Sequence, residues 1–346
     1  MQHPTGELRV LVSSYLEPPL VERIRAAHPG VQVVYRPDLL PVPKYRSDHD
    51  GDRRTLSDGQ RAEWAALLRD ADVCFDFDWE DPSRLAERAP RLAWVQATSS
   101  GIGEFLQRNG LVESRDTVFT TAAGVHAGPL AEFTLLGLLY LTKEVPMLLE
   151  RQQQQHWERY TTRSLSGSRA LVVGLGHVGQ RISELLSSAG VEVWGAVRRG
   201  RTAPAPAVRT VELPDLREAL PEVDALVLSC PLTVQTQGLI GKDELAALPP
   251  GALLVNVARG AVVDEEAMVQ ALSSGHLGGA ALDVFATEPL PPASPLWGMS
   301  NVLVSPHSAS TLADENAAIV DLFIDNLHRY LDGRPLRNVF SRDDAY

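Results

Sequence analysis

Short apolar runs, five to eight positions long, recur along the chain with amphipathic stretches between them. LRVLV at 8–12 reads as a buried strand and is followed by a helical stretch over 19–27. VQVVY at 31–35, a helical stretch at 58–69, ADVCFDF at 71–77 and LAWVQAT at 92–98 continue the series. Strand alternating with helix predicts βαβ units and a parallel sheet. The segment 36–60, rich in Pro, Asp and Arg, reads as a long surface loop, functional or partly mobile.

Residues 124–157 carry one long helical pattern, too apolar for an ordinary surface helix. Such a face is buried between domains or forms a subunit contact, here a homodimer. The QQQQ run at 152–155 reads as a solvated helix face. From Ser168 onward come ALVVGL (170–175), VEVWGAV (191–197), a weaker AVRTVEL (207–213), DALVLS (224–229), ALLVNVA (252–258), GGAALDVF (278–285) and NVLVSP (301–306). Strands this apolar suit a parallel sheet covered on both faces. The pattern predicts an α/β protein with two doubly wound parallel-sheet domains. A dinucleotide-binding domain covers 122–310 and is inserted into a substrate domain made of 1–121 and 311–346, whose helix at 311–332 crosses back.

A chain of 346 residues fits two domains. Its net charge of -12 argues against nucleic-acid or membrane-surface binding. Cys74 and Cys230 are too few for a disulfide framework, and the histidines, from His3 to His328, show no paired ligand spacing, so no metal is expected. The start, MQHPTGELRV, lacks the pattern of a signal peptide. Glu132, Lys143, Glu144 and Pro146 interrupt the most apolar window, so no membrane span is expected and the location expected is cytoplasmic.

VVGLGHVGQ places Gly174, Gly176 and Gly179 in G-x-G-x-x-G spacing between a strand and a helix, which is the context the motif requires. The first glycine turns the chain, the second lets backbone approach a pyrophosphate, and the third packs helix on strand. The helix N-terminus offers N–H groups to the anion. The next strand ends at Val197, where an NAD site carries Asp or Glu for the ribose 2′-hydroxyl. Arg198, Arg199, Gly200 and Arg201 follow instead. Arginines pair with a 2′-phosphate, so NADP(H) is preferred and NAD(H) is the second choice. A solvated basic loop is the plain alternative.

Three further segments end strands: NVARGAVVDEEA with Arg259, LDVFATEPLPPASPLW with Asp283 and Glu288, and NVLVSPHSAS with His307. Together with the glycine loop and HAGPLAEFTLLGLL, they resemble the D-isomer-specific 2-hydroxyacid dehydrogenases over about residues 90–330. The resemblance implies a Rossmann domain in a flavodoxin-like partner and a catalytic set of Arg259, Glu288 and His307. His307 would exchange a proton with the substrate oxygen, since imidazole titrates near neutrality. Glu288 would hold that ring and favour its charged form. Arg259 would grip the carboxylate and polarise the carbonyl.

The same resemblance implies cofactor contacts from Leu175, His177 and Val178 in the glycine loop, and from Cys230 and Pro231 in CPLT. Thr236, Val257, Ala258, Arg259, Asp283 and His307 complete that set. Cys230 is read as packing, since hydride transfer needs no covalent step. VQATSSGIGEF resembles the family's substrate loop, with Ser100 and Gly101 holding a carboxylate through turn N–H groups. Ser stands there for a family glycine and Glu104 for a common Asp. Trp297 reads as a pocket wall or a buried structural residue. The substrates implied are small 2-oxo acids of the glyoxylate and hydroxypyruvate type, with their D-2-hydroxy counterparts. Two rivals remain. Formate dehydrogenases of this architecture carry Gln where Glu288 stands. The related corepressors keep the scaffold as dinucleotide sensors.

Overall fold

The computed structural model describes residues 7–113 and 117–342. His3 and most of the segment MQHPTGELRV therefore lie outside the described residues, as do the last four of the expected 311–346 segment. The chain divides into two compact units, Met1–His126 with Thr311–Tyr346, and Ala127–Ser310.

In the first unit, β1 (Leu8–Val12), β2 (Val31–Tyr35), β3 (Val73–Phe75), β4 (Trp94–Gln96) and β5 (Val118–Thr120) form a parallel sheet in the order β2-β1-β3-β4-β5. Its helices are α1 (Pro18–Ala27), α2 (Asp58–Asp70), α3 (Leu85–Arg88), α4 (Gly103–Arg108) and the C-terminal α11 (Glu315–Leu331). Successive strand residues point to opposite faces. Val10, Val12, Val73, Phe75 and Trp94 therefore pack with Ile24 of α1 and with Ile319, Val320, Phe323 and Leu327 of α11. Leu11, Cys74 and Val95 face the other way, onto Trp64 and Leu68 of α2. Trp94 stacks on Phe323 at 5.1 Å, and its Nε1 donates to Thr120 Oγ1 at 2.8 Å. A polar indole tip buried this deeply requires such an acceptor.

The second unit holds β6 (Arg169–Val173), β7 (Glu192–Val197), β8 (Arg209–Glu212), β9 (Ala225–Leu228), β10 (Ala252–Asn256), β11 (Leu277–Leu282) and β12 (Val302–Val304). They form a parallel sheet ordered β12-β11-β10-β9-β6-β7-β8. Helices α5 (Ala127–Thr142), α6 (Val145–Gln153), α7 (His177–Ser188), α8 (Leu216–Ala219), α9 (Lys242–Ala247) and α10 (Glu265–Ser273) accompany it. Its first strand, β6, lies between β7 and β9, so the winding reverses there. In such sheets the ligand crevice opens at that reversal, beyond the C-terminal strand ends. This is the expected fold class: two parallel-sheet α/β layers, the second of Rossmann type.

Four details differ from the sequence reading. The long helix of 124–157 is two helices, broken where Glu144 takes φ +52 and Pro146 enters the first turn of α6. Proline lacks the N–H and collides with the preceding turn, so the helix must restart. Only the first two glutamines of the QQQQ run belong to α6. The expected surface loop at 36–60 is instead anchored: Leu39, Leu40 and Leu56 are buried. Asp48, also buried, accepts from the backbone N–H groups of Lys44, Asp50 and Gly51. β5, only three residues long, has no counterpart in the sequence reading. Among the described residues no helix is long and apolar enough to cross a membrane, and no group of three or more His, Cys, Asp or Glu could hold a metal ion.

Candidate active site

The chain leaves β6 through Gly174, whose φ is +90. A Cβ there would lie 2.6 Å from the Cys230 Cα, so both handedness and crowding demand glycine. A Cβ on Gly179 would come within 1.8 Å of the Gly174 carbonyl oxygen. Gly176 differs: a Cβ there would meet nothing within 4 Å. Gly176 is the N-cap of α7 and supplies no side-chain cap. An uncapped helix start with open space before it fits a pyrophosphate. Leu175 and Val178 are half-buried behind this opening, and His177 is exposed at it. Cys230 and Pro231 follow β9, and Thr236 Oγ1 donates to the Pro231 carbonyl at 2.6 Å, which closes that turn. Burial pushes the Cys230 thiol up to about 11, so it stays protonated and packs. Val257 and Ala258, beyond β10, are buried.

Beyond β7, Arg198 is half-buried and Arg199 exposed. The sequence reading found no carboxylate after this strand, but the sheet supplies one. Glu212, opposite Val197 in the β7–β8 register, accepts from Gly200 N at 3.0 Å and lies 3.6 Å from Arg199 Nε. The signal was the pairing of the weaker run AVRTVEL beside VEVWGAV, which sequence spacing alone does not register.

Arg259, Asp283 and His307 follow the adjacent strands β10, β11 and β12. Asn256 Nδ2 donates to the Arg259 carbonyl at 3.2 Å, and Arg259 Nη1 donates to the Ala258 carbonyl at 2.8 Å. A Cβ on Gly260 would fall 1.9 Å from the Phe285 carbonyl carbon, so the turn after Arg259 sits hard against the β11 loop. Asp283 Oδ1 accepts from Ser305 Oγ (2.6 Å) and from the N–H groups of Ser308 (2.9 Å) and Ala309 (3.0 Å). Burial raises the Asp283 carboxyl above its usual range, and these bonds oppose the shift. The Asp283 carbonyl accepts from His307 N at 2.9 Å. His307 takes φ +54, a left-handed conformation that this clamp sustains.

His307 Nδ1 lies 2.8 Å from Glu288 Oε2. A carboxylate only accepts, so Nδ1 donates and Nε2 is the nitrogen left to exchange a proton. Glu288 is itself held, its Oε1 accepting from Phe285 N at 3.0 Å. Both side chains are exposed, 44% and 36%. Trp297 is 54% exposed and donates to the Pro291 carbonyl, so it is not a buried structural residue.

Ser100 and Gly101 follow β4 at the C-terminal edge of the first sheet. The structure adds a connection here that the sequence reading missed. His126 Nδ1 lies 2.8 Å from Ser100 Oγ, and its Nε2 lies 3.0 Å from Glu315 Oε1. His126 and Glu315 stand 189 positions apart, so only the fold brings them together. The carboxylate can only accept, so Nε2 donates to it. Glu315 opens α11, where a negative charge suits the helix N-terminus, and its Oε2 accepts from Leu312 N.

With this geometry in view, comparison with known proteins gives a consistent answer. The family pattern for "D-isomer specific 2-hydroxyacid dehydrogenase, NAD binding domain" matches residues 135–309. The glyoxylate reductase of Thermofilum pendens is 33% identical over 283 residues, covering 79% of this chain and 82% of that one. A D-isomer specific 2-hydroxyacid dehydrogenase from Xanthobacter autotrophicus Py2, crystallised with NADPH and MES, superposes with a TM-score of 0.78 at 30% identity, covering 99% of this chain and 100% of that one. The NADPH-dependent glyoxylate/hydroxypyruvate reductase of Sinorhizobium meliloti, crystallised with NADP and sulfate, gives 0.77 at 26% identity, with 98% and 100% covered. The chain belongs to the D-isomer specific 2-hydroxyacid dehydrogenase family and is an NAD(P)-dependent oxidoreductase acting on 2-oxo or 2-hydroxy acids.

Proposed function

We propose that this enzyme reduces small 2-oxo acids of the glyoxylate and hydroxypyruvate type to D-2-hydroxy acids with NADPH. The observation that carries the reading is the His307–Glu288 pair at 2.8 Å, on the same sheet edge as the Gly174–Gly179 loop. Bound nicotinamide supplies the hydride. His307 Nε2–H gives the carbonyl oxygen its proton, and Glu288 keeps the ring oriented while balancing the charge it carries. Arg259 polarises the carbonyl and holds the carboxylate. Within the substrate domain, the turn N–H groups at Ser100 and Gly101 are suited to a substrate carboxylate. The loop at Gly174, Leu175, Gly176, His177, Val178 and Gly179 carries the pyrophosphate, and Arg198 and Arg199 carry the 2′-phosphate. Cys230, Pro231, Thr236, Val257, Ala258 and Asp283 line the rest of the cofactor site. Two relatives crystallised with NADPH or NADP support the cofactor choice.

The test is a panel of 2-oxo acids, each with NADPH and with NADH, followed by cofactor absorbance. Glyoxylate and hydroxypyruvate should oxidise NADPH fastest. Turnover confined to branched or aromatic acids overturns the substrate reading. Tight NADPH binding without turnover of any acid establishes the sensor instead.

We also infer a homodimer. α5 buries Ala131, Thr134, Gly137 and Leu138, yet Leu136 and Leu139 on it and Leu148 and Leu149 on α6 are exposed. Exposed leucines on two successive helices favour a two-fold partner. Sedimentation at micromolar concentration should give twice the chain mass, and a monomer refutes it.

A further inference from the structure

Three adjacent strands of the first sheet end in polar residues that the proposed mechanism does not use. Ser14 follows β1, Asp76 follows β3 and Thr98 follows β4. The anchored loop at 36–60 adds His49 to this edge. Ser14 Oγ lies 3.0 Å from His49 Nδ1, and Thr98 Oγ1 donates to Asp76 Oδ2 at 3.1 Å. Asp76 takes φ +72, a left-handed conformation sustained by its N–H bond to the Gln96 carbonyl at 2.7 Å. His49 Nε2 is buried with no hydrogen-bond partner. A left-handed carboxylate-bearing residue beside a buried ring nitrogen with an open hydrogen-bonding position is an arrangement suited to a ligand.

The donors on Asp76 can be counted. Thr98 donates to its carboxyl, and Ser14 and the Phe77 N–H lie against it as further donors when their protons point that way. Two carboxylate oxygens offer about four lone-pair positions, so one acceptor position remains. Burial raises this carboxyl above its usual range, and His49 opposes the shift. Ser14 stands between His49 and Asp76 and has one proton to give, so His49 Nε2 is a donor in one tautomer and an acceptor in the other. A hydroxyl group is donor and acceptor at once and matches either state. A carboxylate would be repelled by Asp76, and an alkyl group would leave Asp76 and His49 desolvated without a partner. Thr98 stands two residues before Ser100, about 7 Å at most along extended chain, which is the scale of a three-carbon acid.

We propose that Ser14, His49 and Asp76 form a subsite that reads a hydroxyl on C3 of the substrate, selecting 3-hydroxy-2-oxo acids over 3-alkyl and dicarboxylic ones. This rests on the proposed 2-oxo acid reduction with the substrate carboxylate at Ser100 and Gly101. It makes Asp76 a specificity residue and leaves His307, Glu288 and Arg259 in their roles.

Glyoxylate has no C3 and cannot use the subsite, so it is the internal control. The experiment measures kcat/KM with NADPH for hydroxypyruvate, pyruvate and glyoxylate in the wild type, Asp76→Asn and His49→Gln. The wild type should favour hydroxypyruvate over pyruvate by roughly 100-fold, since the analogue lacking the hydroxyl leaves Asp76 and His49 unpaired. Asp76→Asn should lose about 10-fold on hydroxypyruvate, the worth of one buried hydrogen bond, while glyoxylate changes less than about twofold. His49→Gln should show the same split, more weakly. Equal losses on all three acids, or no loss on any, overturn the subsite. If the wild type turns over none of the acids, the proposed function fails separately. The subsite is then judged by calorimetry on the full chain with NADPH: D-glycerate should bind more tightly than glycolate, and Asp76→Asn should erase the difference. Equal affinity of the wild type for the two overturns it.

Discussion

At the C-terminal edge of the second sheet the loops are held by close backbone packing, with the Asp283 carboxylate as a side-chain clamp. Gly174, Gly179 and Gly260 allow contacts that any side chain would block, and the reactive groups His307 and Glu288 stand exposed at the rim. The first sheet's edge is held the other way, by side chains. Ser100, His126 and Glu315 form one chain of bonds, and Ser14, His49, Asp76 and Thr98 form another. A rim of exposed reactive groups on a backbone scaffold can lose function while keeping its fold. An edge made of buried and half-buried polar side chains ties selectivity to stability, because deleting a member leaves a partner unsatisfied, Asp76 being the exception whose own charge is opposed by burial.

The sharpest break of this contrast is His307→Ala. It should lower kcat by roughly 10²–10⁴-fold, the range for a positioned acid–base group. NADPH affinity by fluorescence titration and Tm should stay near wild type, and a large fall in Tm would erase the distinction. Next, replacing Arg198 and Arg199 together by Ala should weaken NADPH by about 10–100-fold and NADH by far less, given the worth of charge-assisted bonds. Equal loss of both cofactors would move the 2′-phosphate elsewhere. Glu212, already bonded to this loop, sets how much of that attraction an incoming phosphate finds.

His126→Ala should behave in the opposite manner to His307→Ala. It leaves Glu315 without its imidazole and releases Ser100, so KM for the 2-oxo acid should rise by about tenfold and Tm should fall together. Combining it with Ser100→Ala should add little further to KM, since the two residues act through one contact. Fully additive losses would separate them.

How these features could be read from the sequence follows from their range. β6, β7, β9, β10 and β11 are largely apolar over four or more residues and stand out by pattern, and β1 and β2 are apolar except at Arg9 and Gln32, whereas β8 and β12 show only within the longer runs AVRTVEL and NVLVSP. The glycine loop is legible because its three positions lie within six residues. β5 escapes because three residues carry no periodicity. The break at Glu144 escapes because Lys143 and Glu144 are ordinary helix formers, and Pro146 alone marks it. Ser100, His126 and Glu315, like Glu212 beneath Arg199 and His49 beside Ser14, are joined only when strand order and register are known.

The smallest effect concerns Asp76 and acid. Burial raises its carboxyl, so the folded chain holds this proton more tightly than the unfolded chain does. The folded state is therefore favoured at low pH by this group, and that contribution is lost as pH rises through the raised folded value. Asp76→Asn should raise Tm by a few degrees at neutral pH, with the gain shrinking as pH falls toward the ordinary aspartate range. Asparagine also suits the left-handed backbone there. A variant less stable than wild type at neutral pH would show that the bonds to the ionised carboxylate outweigh the cost of its burial.

The C-terminal helix α11 gives the molecule an order of birth. Ile319, Val320, Phe323 and Leu327 are part of the core beneath β1, β3 and β4, although those strands are translated more than two hundred residues earlier. On the ribosome the first unit emerges with that face covered only by α1 and must wait for the rest, while the second unit's contiguous stretch can close on itself. The domain begun first is therefore finished last, and a chaperone meeting the nascent chain would find its longest-lived apolar surface along that sheet.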